Sequence, residues 1–229
     1  TPGFLFEVPI YEAQTKYPDV KFILLDGAPH TADYSTFETK ANVASIMYSE
    51  EQSGFLVGYA AVKDGMTKLG FMGGMAVPAV QAFGYGYLQG AEAAAAELGL
   101  ADGAVEVTYH YTGNFEENDT NKATARTMYQ EGVEVIFAAG GSVGKSVMSA
   151  ATESEAKVIG VDVDQRYDML IKNVHNLVNV LFTQTVFVSV FNEALAGIHH
   201  KNMFAFVCTF FVHNNNAGRN TCAIKQVGR

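Results

Sequence analysis

Apolar residues recur along this chain in short runs that end on glycine or aspartate and then hand over to helical spacing. Three stand out: LGFMGGMAVPAVQAF at 69–83, VEVIFAAGGSVGKSV at 133–147 and KVIGVDVDQ at 157–165. A run of this kind reads as a strand buried on both faces, as in a parallel sheet. Its carboxyl end opens onto the loops where open α/β sheets bind ligands.

The rest of the pattern extends the same alternation. GFLF at 3–6 reads as a strand, 8–17 as a short helix stopped by Pro18, and KFILLD at 21–26 as the next strand. A polar, turn-rich stretch at 27–40 precedes the strand NVASIMY at 42–48. Ser49 is read as the N-cap of a helix with Glu50 and Glu51 in its first turn, closed by Gly65. KLGFMGG at 68–74 is a strand, and Pro78 opens a long helix to Leu98, with Gly99 after it. A strand at 104–111, a loop at 113–119 and a helix at 118–131 closed by Gly132 lead into the strands at 133–139 and 157–162. Strands separated by helices of this length pair in parallel through right-handed crossovers. Two such series in succession predict two similar lobes, meeting near 64–68.

Composition narrows the class. Across 229 residues, 48% hydrophobic content with 17% charged residues is enough to build a folded core. The net charge of −9 argues against nucleic acid and anionic membrane surfaces, which need clustered Lys and Arg, and favours a neutral or cationic small ligand. No apolar run has the length of a spanning helix, and residue 1 begins with neither a charged n-region nor a signal h-region. The chain is therefore expected to enter a βα series partway, as a fragment or processed form. From residue 165 onward six bases, Arg166, Lys172, Lys201, Arg219, Lys225 and Arg229, outnumber the acids Asp168 and Glu193. That reversal of charge sets the tail apart from what precedes it.

Chemistry is carried by few residues. Cys208 and Cys222 lack the spacing of metal ligands, the six histidines are scattered, and no nucleophile–base arrangement or acid–base carboxylate pair is visible. The segment AGGSVGKS at 139–146 fits a permissive Walker A pattern, with Ala139 where the strict form has glycine. Read as such, it predicts a P-loop-like nucleotide-binding hydrolase using Lys145, Ser146 and Asp162. Read structurally, Gly140 and Gly141 allow a tight strand-to-helix turn whose amides favour an oxygen-rich ligand. Asp162 and Asp164 alternate at a strand end, where an aspartate either caps a helix or accepts hydrogen bonds from adjacent hydroxyls. Phe137 is either a core side chain or a platform for an aromatic base. Glu51 and Gln52 either offset a helix dipole or reach a cleft.

Taken as a set, KYPDVKFILLDG, NVASIMYSEEQSGFLVGYAA, KLGFMGGMAVPAVQAFGYGYLQGAE, YQEGVEVIFAAGGSVGKSV and KVIGVDVDQ closely resemble the basic membrane protein family. These are bacterial surface lipoproteins that serve ABC importers as solute receptors, and their best understood branch binds purine nucleosides. The resemblance runs over about residues 3–166. It implies a type I periplasmic-binding-protein fold: two lobes, each a parallel sheet flanked by helices, closing on a ligand. The expected organisation is 1–65 as an incomplete first lobe, 66–164 as the second, and 165–229 as a divergent return to the first. By position, Phe137 matches the aromatic that stacks the purine, Gly140 and Gly141 the glycine pair, and Asp162 the carboxylate on the ribose hydroxyls. Glu51 and Gln52 lie where a polar residue enters the cleft.

The implied protein is a receptor and not an enzyme. It takes a small-molecule ligand, works with an ABC permease without nucleic acid or cofactor, and sits outside the cytoplasm on a lipid anchor. Departures from the pattern are the lack of the aromatic and acidic loop of the first βα unit before Gly3, the lack of the lipid-bearing cysteine, and Ala76 in place of an acid after Gly-Gly-Met.

Overall fold

In the strand Lys68–Gly73 every residue after the first is buried, which requires neighbours on both edges and cover on both faces. The computed structural model of the chain describes residues 1–162 and 165. In chain order these contain a 3₁₀ turn at Phe4–Phe6, α1 (Glu7–Lys16), β1 (Phe22–Leu25), β2 (Val43–Ile46) and α2 (Glu50–Lys63). There follow β3 (Lys68–Gly73), α3 (Pro78–Glu97), β4 (Glu106–Tyr111), α4 (Asp119–Gln130), β5 (Val135–Ala139), α5 (Val143–Glu153) and β6 (Lys157–Ile159). Two compact units result, Thr1–Tyr48 and the part from Ser49 onward.

The second unit holds a four-stranded parallel sheet in the order β4-β3-β5-β6. Side chains alternate across it. Leu69, Phe71, Val135, Phe137 and Ile159 face α2 and α3, while Met72, Ile136, Ala138 and Val158 face α4 and α5. The chain leaves β3 for β4 on one side and later returns to β5 on the other, so the strand order reverses between β3 and β5. Their carboxyl ends are the topological switch point, where sheets of this kind leave a crevice.

The α2–α3 pair lies backbone on backbone. A Cβ on Gly54 would stand 2.2 Å from the carbonyl oxygen of Phe83, and one on Gly58 2.0 Å from that of Tyr87. In return, Gly86 would meet the oxygen of Glu51 at 2.0 Å and Gly90 that of Phe55 at 1.9 Å. Each helix thus contributes two glycines four residues apart, the spacing that lets main chains approach to Cα–H···O distance. Pairing rises in the same direction on both, so the helices run parallel. At their carboxyl ends Tyr59 donates to the Glu97 carboxylate and Lys63 Nζ lies 3.1 Å from Glu97 Oε2. The hydrogen bond from Tyr59 leads in lowering the Glu97 carboxyl below its ordinary range, while burial leads in pushing the Tyr59 hydroxyl up to about 12.

At the amino edge of the sheet, Glu134 Oε2 accepts from the amides of Thr67 at 2.7 Å and Lys68 at 2.9 Å. Partial burial by itself would raise this carboxyl. The two backbone donors and the charges of Lys157 and Lys68 outweigh that and hold it below its ordinary value of 4.5.

The first unit is smaller. β1 and β2 pair in parallel over a core of Ile10, Leu24 and Val43. Between them residues 27–42 return along α1 without a helix, so their backbone needs other partners. The buried polar residues of α1 supply them. Glu7 Oε1 accepts from the Ala28 amide at 3.1 Å and Glu7 Oε2 lies 3.1 Å from His30 Nε2. Gln14 donates to the Glu38 carbonyl and accepts from the Lys40 amide, both at 2.9 Å. Asn42 then donates to the carbonyls of Gln14, Tyr17 and Val20, which closes the return.

Three expectations change. The 3–6 stretch is a 3₁₀ turn and not a strand, with only Pro2 bridging to Leu25 in parallel. Ser49 stands at the N-cap of α2 without a side-chain capping bond. The break between compact units falls after Tyr48 and not at 64–68, because the glycine seam carries α2 with α3. The expectation for 165–229 lies, Gln165 apart, outside the described residues.

Two outcomes follow from this packing. Gly58→Ala or Gly90→Ala forces a methyl into a facing carbonyl and is expected to cost about 3 kcal/mol in a urea unfolding curve. A Glu134→Gln chain should be less stable than the parent above pH 4.5, the ordinary value of that carboxyl, because a depressed carboxylate stabilises the fold only while ionised. The gap should close as pH falls through the folded-state value, and melting curves across pH 3–7, a range set at roughly two units about that titration, read it directly.

Candidate functional site

The crevice at the switch point is made of backbone. After β3 the Gly74 amide donates to the Ala139 carbonyl at 3.1 Å, and a Cβ on Gly140 would lie 2.8 Å from the Gly74 nitrogen. Gly74 and Gly140 therefore touch main chain to main chain, and only glycine fits at Gly140. Gly141 follows with φ +55°, the left-handed turn that starts α5. The Val143, Gly144 and Lys145 amides turn back to the carbonyls of Gly140, Gly141 and Ser142 at 3.0–3.1 Å. That leaves the amides of Gly141 and Ser142, both exposed, as the donors of this turn among the described residues.

Phe115 lies over these glycines. Its ring sits where a Cβ on Gly74 would meet Cε1 at 2.3 Å, and its Cβ is 3.8 Å from the position a side chain on Gly141 would take. The loop after β4 puts it there. The Thr112 amide donates to the Gly73 carbonyl at 3.0 Å and the Gly113 amide to that of Gly74 at 3.2 Å, which ties the loop to the end of β3. Gly113, at φ +73°, turns the chain so that half-buried Phe115 closes over the crevice.

Asp162 leaves the sheet at the same edge. Phe137 pairs with Ile159, and Gly140 and Asp162 each follow that pair by three residues on adjacent strands. Asp162 is exposed with φ +69°, in the left-handed region where aspartate is among the tolerated residues. Next to it the Val161 amide donates to Gln165 Oε1 at 3.2 Å, with Gln165 buried against the start of α5. Asp164 lies outside the described residues.

The residues expected from the sequence therefore part company. Gly140, Gly141 and Asp162 come to one edge. Phe137 does not: its side chain has 0% exposure, with ring centroids of Tyr87, Phe71 and Phe83 at 5.3, 5.7 and 5.9 Å. It is a core side chain, and stacking a ligand on it would mean opening the centre of the unit. Glu51 and Gln52 are exposed in the first turn of α2, level with Gly86. Gly86 lies roughly 12 Å along α3 from the switch-point end of that helix, so neither reaches the crevice within this unit. Phe115 escaped the sequence reading as a lone aromatic in a polar loop. Its signal is the Thr-Gly-Asn-Phe turn directly after a strand.

The P-loop alternative fails on geometry. Ser146, which would have to present its hydroxyl to a magnesium ion, is 1% exposed. Its Oγ accepts from the Asn118 amide at 3.0 Å and lies 3.1 Å from the Asn118 carbonyl, holding the start of α4. Of the amides that would cradle phosphate, those of Val143, Gly144 and Lys145 are spent inside the turn. Among the described residues no group of His, Cys, Asp and Glu is placed to hold a metal ion.

Residues 1–185 match the family described as Bmp, ABC transporter substrate-binding protein PnrA-like. The chain is 32% identical over 168 residues to basic membrane protein D of Borreliella burgdorferi, covering 72% of this chain and 46% of that protein. It is 31% identical over 174 residues to the ABC transporter nucleoside-binding protein BmpA of Lactococcus lactis, covering 72% and 45%. An ABC transporter solute-binding protein of Aeropyrum pernix superposes with a TM-score of 0.61 at 30% identity, covering 72% of this chain and 46% of that one. The chain thus spans under half the length of the relatives it matches. Its α/β architecture, with parallel sheets flanked by helices, is of the type I periplasmic-binding-protein kind.

Ser146→Ala is expected to lower stability by about 1–2 kcal/mol, since it leaves the Asn118 amide without its acceptor in a partly buried setting. Chemical denaturation of the two chains side by side measures it, and a hydroxyl kept for a metal ion would show no such loss.

Proposed function

This chain belongs to the family of PnrA-like ABC transporter substrate-binding proteins, and from that membership we propose that it binds a purine nucleoside as part of a receptor serving an ABC importer. The observation that carries the reading is the crevice of Gly74, Gly140 and Gly141 lying under the ring of Phe115. A flat glycine floor beside an exposed pair of amides suits a planar, oxygen-bearing ligand, and an aromatic ring gives a base a face to stack on. In this proposal Phe115 takes the stacking role that the resemblance gave to Phe137. Asp162 accepts from ribose hydroxyls, and the Gly141 and Ser142 amides donate to ligand oxygen.

Glu51 and Gln52 stay outside the proposed contact set because their place along α3 is remote from the crevice. The name of the Lactococcus relative supports a nucleoside over other small solutes. The receptor is further proposed to act outside the cytoplasm, held by a lipid anchor, and to hand its ligand unchanged to a membrane permease.

Calorimetry with adenosine, guanosine and inosine tests the ligand class, and no heat from any of the three would remove it. Where heat is seen, Phe115→Ala should weaken binding by about 1–3 kcal/mol with the fold retained. Phe137→Ala should instead appear in the unfolding curve, at about 3–5 kcal/mol, as the loss of a core ring.

A further inference from the structure

Phe115 is the one apolar side chain in a loop where Thr112, Asn114 and Asn118 are tied by hydrogen bonds while Glu116 and Glu117 are exposed, and a single residue of α4 grips the loop on both sides of it. Asn121 is 3% exposed. Its Nδ2 donates to Asn114 Oδ1 at 2.9 Å and to the Glu116 carbonyl at 2.9 Å, so the two hydrogens of one amide bind the residue before Phe115 and the residue after it. Asn114 Oδ1 also accepts from the Glu116 amide at 3.0 Å, which closes a ring of bonds around position 115. Asn114 Nδ2 donates to the Thr112 carbonyl at 3.0 Å, and Thr112 Oγ1 donates to the Asn114 carbonyl at 2.9 Å. The main-chain N–H of Asn121 donates to Asn118 Oδ1 at 2.8 Å, and the main-chain N–H of Asn118 donates to Ser146 Oγ of α5 at 3.0 Å.

We propose that Asn121 is a positioning residue for ligand capture: it bonds the loop on both flanks of Phe115 and fixes that ring over the glycine crevice before any ligand arrives. The part concerning capture rests on the function proposed above. The part concerning order does not.

The chemistry singles out asparagine. Both acceptors, an amide oxygen and a main-chain carbonyl, need a donor, and a planar NH₂ supplies two in fixed directions. Aspartate has the same shape but would aim lone pairs at both acceptors. A site formed in advance spares the ligand the ordering of the loop, which is worth roughly two- to tenfold in affinity for each rotamer-rich side chain already immobilised.

The test uses the full chain. It contains no tryptophan, so Phe115→Trp places one fluorophore at the crevice. Time-resolved anisotropy should show this tryptophan tumbling with the whole protein. Adding Asn121→Asp should raise the amplitude of its nanosecond motion roughly twofold or more, while Thr127→Ala on the exposed side of α4 should leave it unchanged. A tryptophan that stays rigid when Asn121→Asp is added overturns the proposal, as does one already mobile in the single variant.

Hydrogen exchange on the unaltered chain stands in should Asn121→Asp fail to fold. The Glu116 amide should exchange at least about tenfold more slowly than the exposed turn amides of Asp102 and Gly103, and equal rates overturn the proposal. For a nucleoside bound by the unaltered chain, Asn121→Asp should raise Kd by roughly two- to tenfold with Phe115 intact. An unchanged Kd overturns the positioning role. Absence of binding by the unaltered chain counts against the ligand class alone, since the anisotropy and exchange results judge the loop without ligand.

Discussion

Four glycines, two on α2 and two on α3, let the main chains of these helices touch, and most of the second unit takes its form from that contact. A seam without side chains brings α2 close enough to lay Val57, Tyr59, Ala61 and Val62 over the sheet beside Phe83 and Tyr87. Those residues enclose Phe71 and Phe137. The aromatic centre is dry because the helices are near, and the helices are near because nothing protrudes between them.

Where ligand chemistry can occur follows from this. With Phe137 shut inside, the carboxyl edge of the sheet offers backbone and not side chains: Gly74 against Gly140, the turn at Gly141, and the left-handed Asp162 beside them. An aromatic surface there has to come from a loop, and the loop after β4 provides one in Phe115. The glycine-rich turn at 139–146 owes its composition to the same closeness. Gly140 has no room for a side chain, and Ser146 is occupied in holding α4, so the two positions that most suggest a phosphate-binding loop are set by packing.

Much of the architecture was legible in the chain. The buried strands β3, β5 and β6 announce themselves as unbroken apolar runs, and Pro78, Gly99 and Gly132 mark helix limits where the structure places them. Less was legible of what glycine does. Gly54, Gly58, Gly86 and Gly90 carry a signal in their four-residue spacing, but a pattern of hydrophobic and polar side chains passes over residues that have none. The boundary near 64–68 was misplaced for that reason. The common place of Gly140, Gly141 and Asp162 at the carboxyl edge of the sheet could be read from strand ends alone. Phe137 and Phe115 could not be ranked, because alternation along a strand tells which face a ring takes but not whether that face is covered. The short run at 3–6 shows the usual ambiguity of four apolar residues, which fit a turn as well as a strand.

The first unit keeps its order by other means. Among the described residues its apolar core is Ile10, Leu24 and Val43 with Phe22 packed against them, and the long return at 27–42 is secured by Glu7, Gln14 and Asn42. Contacts of that kind hold geometry well but resist solvent poorly, because water can replace each one in turn. Among the described residues, the amino-terminal fifth of the chain is consequently where local opening begins, and where a protease sampling the native protein gains access before it reaches the sheet of the second unit.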